Sequence, residues 1–390
     1  YAEVIALAAL VVSFVTGRAA RAYAGRISRD SRTRSAAGMA LTPGMDWAQG
    51  AFALLAELAV YAGIGGGAST SAGGASGLTG PLGPLLRGTP LATVGGAGPG
   101  GVWWLAITAA IVLAVREMAN VCLAAAKVRT AVVGGPEAAR RILVPAPPSG
   151  IRLVLLCVAV MIAGARPALG LAIVLGALAL LLRAAVPGPN SGIIGYRGDG
   201  PLSVWIGAFV DGRLPPTPPL LVGLLVTGVL TAFGLGHLTG FLIFTPALGM
   251  LLGALGCWHP HDGRREWLVP ALLHVGEYVI LAAIGFSGRV WPPVIFALIT
   301  AVALRHFDLA YRARNQVSPS LFMRPGANVG RAPALPGADW RGLGWDGRTL
   351  AAACVAAAGI ASYAYAAAAV YLWVLLGREA VSGWSAGRSR

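Results

Sequence analysis

The sequence predicts an all-α, polytopic membrane helical bundle of about ten transmembrane helices in two parallel five-span modules. Three observations predict it. Of the 390 residues, 56% are hydrophobic and 12% charged, where a soluble domain carries about 45–50% apolar and about 25% charged residues. The mean hydropathy is +0.72. The apolar residues gather in runs as long as a bilayer is thick, and the arginines gather between alternate runs. Together these exclude an ordinary soluble enzyme and a disordered chain.

The runs place spans at 1–16, 44–64, 103–124, 151–165, 168–186, 217–236, 240–257, 267–287, 290–305 and 349–377. The first opens at Tyr1 already inside an apolar run, so further sequence is expected upstream. The last exceeds the ~20 residues a crossing needs and is expected to tilt or run on past the bilayer. Loop 65–102 is rich in Gly, Ala, Ser and Thr and is expected to be flexible. Stretch 187–219 reads as an interfacial helix over 201–213 and a proline-rich entry at 215–219. Leu202, Trp205, Ile206 and Phe209 recur at helical spacing on one face of that helix. It is the expected boundary between a module at 1–186 and a module at 220–390.

Charge sets the expected orientation. Arg18, Arg21, Arg26, Arg29, Arg32 and Arg34 follow the first span, and Lys127, Arg129, Arg140 and Arg141 the third. Arg264 and Arg265 follow the seventh, and Arg305, Arg312, Arg314 and Arg324 the ninth. The positive-inside rule places these loops in the cytoplasm of a multi-pass plasma-membrane protein. The formal net charge of +15 then points to anionic lipid as the partner, with no nucleic acid. The tail, with Arg378, Arg388 and Arg390, falls on the outer side and fits the rule poorly, or the span count is off by one. The four cysteines lie in apolar runs with neither zinc spacing nor a disulfide framework.

An internal repeat is visible. Asp46-Trp47 leads an apolar run to Glu57, and Glu266-Trp267 leads a similar run to Glu277. The offset is 220 residues at both acids and at the tryptophan, so the modules are expected to be parallel duplicates.

The segment after the first span carries the chemistry. It reads Arg21-x2-Ala24-Gly25-x2-Ser28-Arg29-x8-Gly38-x3-Thr42-x3-Asp46. This resembles the signature of the CDP-alcohol phosphotransferases, Asp-x2-Asp-Gly-x2-Ala-Arg-x8-Gly-x3-Asp-x3-Asp. Every gap matches, and Gly25, Arg29, Gly38 and Asp46 match in identity. Arg21, Ala24 and Thr42 stand where the family has aspartates.

The resemblance implies six membrane helices around a cytoplasm-facing polar cavity. It implies transfer of a phospho-alcohol from a CDP-linked donor in phospholipid or related envelope-lipid synthesis. Asp46 takes the position of the general base, and Gly25, Arg29 and Gly38 take substrate-binding positions. In the family the other aspartates hold a divalent metal, magnesium if the chain is active, which neutralises the pyrophosphate. Offset by 220 residues, Thr42 and Asp46 become Asp262 and Glu266, an acidic pair one helical turn apart and further candidate catalytic residues. No complete metal site is expected. His261-Asp262-Gly263-Arg264 and Gly344-Trp345-Asp346-Gly347-Arg348 are also similar to an actinobacterial domain of unknown function often attached to such transferases. The resemblance further implies a homodimer, while the start at Tyr1 and the degenerate motif raise the expectation of a catalytic domain upstream in the same chain.

Plainer readings stand beside these. Asp46 and Glu266 also suit the positive N-terminal ends of their helices. Glu57 and Glu277 fall mid-span, where an acid is costly unless paired, and pairing with an arginine or through a protonated hydrogen bond is the expectation. Arg116 and Glu117 read as anchors at the membrane edge, and Trp103-Trp104 as part of an interfacial belt. His237 and His274 read as isolated, and His259, His261 and Asp262 lack a fourth ligand for a metal. Two other functions remain open: an inactive scaffold for the upstream domain, and a small-molecule transporter.

Overall fold

A computed structural model describes residues 50–51, 53–66, 99–140, 149–185, 198–210, 213–215, 217–234, 240–256, 268–316 and 342–386. Asp46, Asp262, Glu266, Gly25, Arg29 and Gly38 lie outside the described residues. So do the first span, loop 67–98 and His237, His259 and His261.

The described residues form helices and turns, with no strand among them. In chain order the helices are α1 (Ala53–Gly66), α2 (Pro99–Arg140), α3 (Ser149–Ala163) and α4 (Ala165–Ala185). There follow α5 (Pro201–Val210), α6 (Thr217–Gly234) and α7 (Gly240–Gly253). The last four are α8 (Val269–Ser287), α9 (Pro292–Gln316), α10 (Gly344–Ala357) and α11 (Ala361–Ala386). Among the described residues four stretches are long and apolar enough to cross a membrane: Gly101–Leu123, Ala165–Ala184, Val269–Ser287 and Pro292–Tyr311. Large apolar side chains face outward on several helices, among them Met161, Leu181, Leu225 and Val374. Such a surface is compatible with lipid contact and would be a liability in water.

Glycines set the breaks. Gly164 has φ 91° and separates α3 from α4, whose Pro167 sits in the first turn, where a missing N–H costs nothing. Gly359, at φ 74°, ends α10. The apolar run expected as one span over 349–377 is therefore two helices, because a right-handed helix cannot pass through a left-handed residue. The interfacial helix expected to reach residue 213 stops at Val210. Its Trp205 and Phe209 are 71% and 86% exposed, while Leu202 and Ile206 of the same face are half-buried.

The chain divides into two compact units. One comprises 1–112, 145–178 and 373–390. Within it, Trp103 of α2 packs against Gly65 of α1, where a Cβ would lie 3.1 Å from the indole. Trp103 is thus a core residue and not part of an interfacial belt. Gly176 of α4 lies so close to Val112 of α2 that a Cβ there would collide with the valine side chain.

The other unit comprises 113–144 and 179–372. α6 packs along α7, and α8 packs against α6, α7, α9 and α10. The α6–α7 seam is made of small residues. A Cβ on Gly223 would run into the carbonyl oxygen of Gly249 and stand 2.9 Å from the amide nitrogen of Gly253. Gly249 and Gly253 are spaced four apart on one face of α7, the pattern by which membrane helices approach closely.

Candidate functional site

Ionisable side chains buried in apolar helices mark the places where chemistry or structure has been retained at a cost. Several such groups lie among the described residues.

The largest group is built on α8. His274, Glu277 and Tyr278 sit at i, i+3 and i+4 and share one face. α9 adds His306, and α10 adds Arg348. His274, Glu277 and His306 are fully buried, and Arg348 is 8% exposed. Arg348 Nε donates to Glu277 Oε1 at 2.6 Å, Nη1 to the carbonyl of Gly342 at 2.7 Å, and Nη2 to His306 Nε2 at 2.7 Å. A guanidinium only donates, so His306 Nε2 accepts and its proton lies on Nδ1. That proton points to the Tyr278 hydroxyl, 2.8 Å away. His274 Nδ1 lies 3.2 Å from Glu277 Oε2. Its Nε2 is buried with no hydrogen-bond partner. The two imidazoles stack with ring centres 3.5 Å apart.

His274, Glu277 and His306 bring their ligand atoms within 4.8 Å of one another, a separation that a metal ion could bridge. The stacking opposes it. Zinc bound at about 2.0–2.1 Å lies about 3.2 Å from the centre of an imidazole ring. Two ring centres 3.5 Å apart would then subtend about 66° at the ion, against ~109° for a tetrahedron. The guanidinium of Arg348 also already occupies acceptor atoms on Glu277 and His306. The residues do not fit a metal in this arrangement, and the group is an ion-pair network.

The second group joins α1 and α3. Arg152 Nη2 is 2.9 Å from Glu57 Oε2, and Tyr61 donates to Glu57 Oε1 at 3.1 Å. Both mid-span acids expected to pair with an arginine therefore do so, Glu57 with Arg152 and Glu277 with Arg348.

The third group joins α2 and α4. Arg116 Nη2 meets Glu117 Oε1 at 3.2 Å, and Asn120 Nδ2 donates to Glu117 Oε2 at 3.1 Å. Asn120 in turn accepts from Arg183 Nη1. Arg116 and Arg183 are 8% and 9% exposed, and Arg116 Nε is buried without a hydrogen-bond partner. Arg116 is thus buried within an apolar helix, and Glu117 beside it is half-buried. Asn120 allows this, since its amide hydrogen-bonds to the carboxylate on one side and the guanidinium on the other.

His274, expected to be isolated, is corrected as well. Its partner His306 sits in Arg305-His306-Phe307-Asp308 at the end of an apolar run. A histidine between an arginine and an aspartate at the end of an apolar run is a signal in the sequence for this network. Arg152 and Arg183, single arginines within apolar runs, were equally visible.

A fourth constellation braces α10 against the entry to α5. Asp346 Oδ2 accepts the backbone N–H of Ser203 at 2.6 Å, capping α5 at its third residue from a distant part of the chain. Trp345 donates its indole N–H to Asp199 Oδ1 at 3.0 Å, and its backbone N–H to the carbonyl of Gly198 at 3.1 Å. Leu343 and Gly344 are both left-handed, with φ 63° and 64°. A Cβ on Gly344 would collide with the backbone of Gly200, and one on Gly200 with Leu343 O and Asp346 Oδ1. Burial pushes the Asp346 carboxyl above the usual carboxylate range; hydrogen bonds from Ser203 and Gly347 pull the other way, and the charge of Asp199 adds to the rise.

Both strands of this brace and the whole Glu277 network fall in one matched segment. A model of a family of unknown function, DUF5941, matches residues 195–389. The chain belongs to the DUF5941 family. The DUF5941 segment takes in α5 to α11, so α5 lies inside it and packs against α10. No curated protein and no solved structure matches the chain.

Proposed function

We propose that the chain is an integral membrane protein of the CDP-alcohol phosphotransferase type, acting in phospholipid or related envelope-lipid synthesis with its basic loops in the cytoplasm. The observation that carries this reading is the spacing from Arg21 to Asp46. Asp46 takes the proton of the attacking alcohol as general base, and Gly25, Arg29 and Gly38 bind the CDP-linked donor. The Arg116–Glu117–Asn120–Arg183 group supports a phosphate-handling role, since arginine held in an apolar setting is the donor that suits phosphate oxygens.

The DUF5941 half is a diverged second copy. Glu57 and Glu277 are equivalent at the 220-residue offset, and each is held by an arginine near the start of a later helix. Asp262 and Glu266 keep the acidic pair in this half. The acceptor atoms of Glu277 and His306 are taken up by Arg348, which makes the network a brace and not a reaction centre.

Magnesium fits poorly. Arg21, Ala24 and Thr42 occupy three of the four acidic positions of the motif, and no step is assigned to a metal. The same substitutions favour a second reading, an inactive membrane scaffold for an upstream catalytic domain, on its own or as a homodimer.

Binding of CDP and of a CDP-linked lipid to the purified chain, with magnesium and with EDTA, tests both readings. Binding lost in Asp46→Asn supports the transferase. No binding under either condition refutes it and leaves the scaffold. Solute flux in liposomes without nucleotide binding would instead favour transport.

A further inference from the structure

The DUF5941 segment contains a second feature that the ion-pair network does not use. Where α10 and α11 diverge after Gly359, a cavity of about 120 Å³ opens beside Leu281 and Leu298 of the neighbouring helices. Its walls are alanine, leucine, valine and tyrosine, among them Ala352, Tyr365 and Leu372, which are buried. Its rim is exposed: Ala351, Leu343 and Tyr371 reach the surface. One water needs about 10–15 Å³ of such space, so the cavity takes roughly eight to twelve groups of that size.

Water is a poor occupant, because a site for water must offer it several polar partners. At the polar end stand Gly342 and Arg348, and these already bond to each other and, through Arg348, to Glu277. The guanidinium charge is matched by a carboxylate at 2.6 Å. An anionic headgroup is therefore not what the cavity selects. An empty apolar void forfeits the dispersion contacts of every atom lining it. On the same helix Tyr363 and Val370 are exposed at 82% and 63%, as side chains of a membrane helix that meet lipid tails are.

We propose that this cavity holds an acyl chain of a bilayer phospholipid, with the headgroup outside it. The lipid is recognised by its uncharged hydrocarbon and fills the space between α10 and α11. This inference stands on the cavity and its rim and does not depend on the transferase reading.

The test uses the full chain in nanodiscs of phosphatidylcholine with a photoactivatable diazirine in one acyl chain. After illumination and proteolysis, adducts are mapped by mass spectrometry. Adducts are expected to concentrate on cavity residues such as Val355, Ala368 and Tyr371, above the level on outward Tyr363 and Val374. Ala368→Phe fills the space and is expected to lower cavity adducts severalfold while leaving Tyr363 and Val374 unchanged. Ala351→Phe at the exposed rim serves the same purpose if the first variant does not fold. Adducts spread evenly along α11 and indifferent to either substitution would overturn the proposal. So would cavity labelling by a diazirine fatty acid that an excess of phosphatidylcholine does not displace, since that would make the carboxylate the recognised group.

Discussion

Removing either partner of the Glu277–Arg348 pair should destabilise the chain severely, and removing both should cost less than the sum. Glu277→Gln leaves a guanidinium at 8% exposure with an amide in place of its counter-charge. The same change weakens the acceptor that His274 meets at 3.2 Å. Arg348→Met leaves a fully buried carboxylate facing two imidazoles and removes the donors to Gly342 and His306. Breaking a buried pair from one side costs about 3–5 kcal/mol, whereas replacing both members by apolar groups of similar volume is often neutral. For a unit of this size, 1 kcal/mol moves Tm by about 2–4 °C, so each single variant should lose about 6–20 °C. The double variant Glu277→Gln/Arg348→Met should recover part of that loss, with a coupling of about 0.5–3 kcal/mol. The assay is thermal unfolding of the full chain in nanodiscs, followed by tryptophan fluorescence, because Trp345 lies three residues from Arg348 and is fully buried. Additive losses in the double variant, or a single variant within about 1 °C of the parent, would refute the account of the network as a brace.

Other outcomes follow from the same structure. Gly344→Ala and Gly200→Ala should each lose more stability than the ~1–3 kcal/mol of a strained backbone position, because the added methyl collides across the brace; thermal unfolding of each variant checks this. The folded state holds the Asp346 proton at pH values where the unfolded chain, near the free value of ~3.9, has lost it. The contribution of Asp346 to stability is therefore full in acid and is lost as pH rises through the raised value, and Asp346→Asn should flatten that part of a Tm–pH profile. Gly223→Leu should separate α6 from α7 and abolish cross-linking between cysteines placed along their seam, if close backbone approach sets that contact. Tyr278→Phe removes one hydrogen bond to His306 and should cost about 1 kcal/mol, read by the same unfolding assay.

The helical class and most helix positions were legible because apolar runs of bilayer length have few alternatives. The breaks were less legible. Gly359 sits in an alanine-rich run where composition does not distinguish a helical glycine from a left-handed one, and the choice follows from how α10 and α11 pack. The pairing of Glu57 and Glu277 was legible because a buried mid-span acid demands a cation. Which arginine answers was not, since Arg152 lies 95 residues from Glu57 and Arg348 lies 71 from Glu277, and only tertiary structure joins them. Trp103 was illegible for a related reason: a tryptophan at a span's end suits an interface, but Gly65 opens a slot that only the fold shows.

The two mid-span acids carry one further argument. At the repeat offset the glutamates coincide, but their arginines do not: position 372 is Leu372 and position 128 is Val128. Had each pair been inherited as a unit, cation and acid would share the offset. What the two halves share is the requirement itself, an acid within an apolar helix that must be neutralised, and this is satisfied wherever a neighbouring helix begins close enough to supply an arginine. Moving the cation should then be tolerated where removing it is not, a rule that Arg348→Met rescued by an arginine on the facing turn of α9 would put to direct measurement.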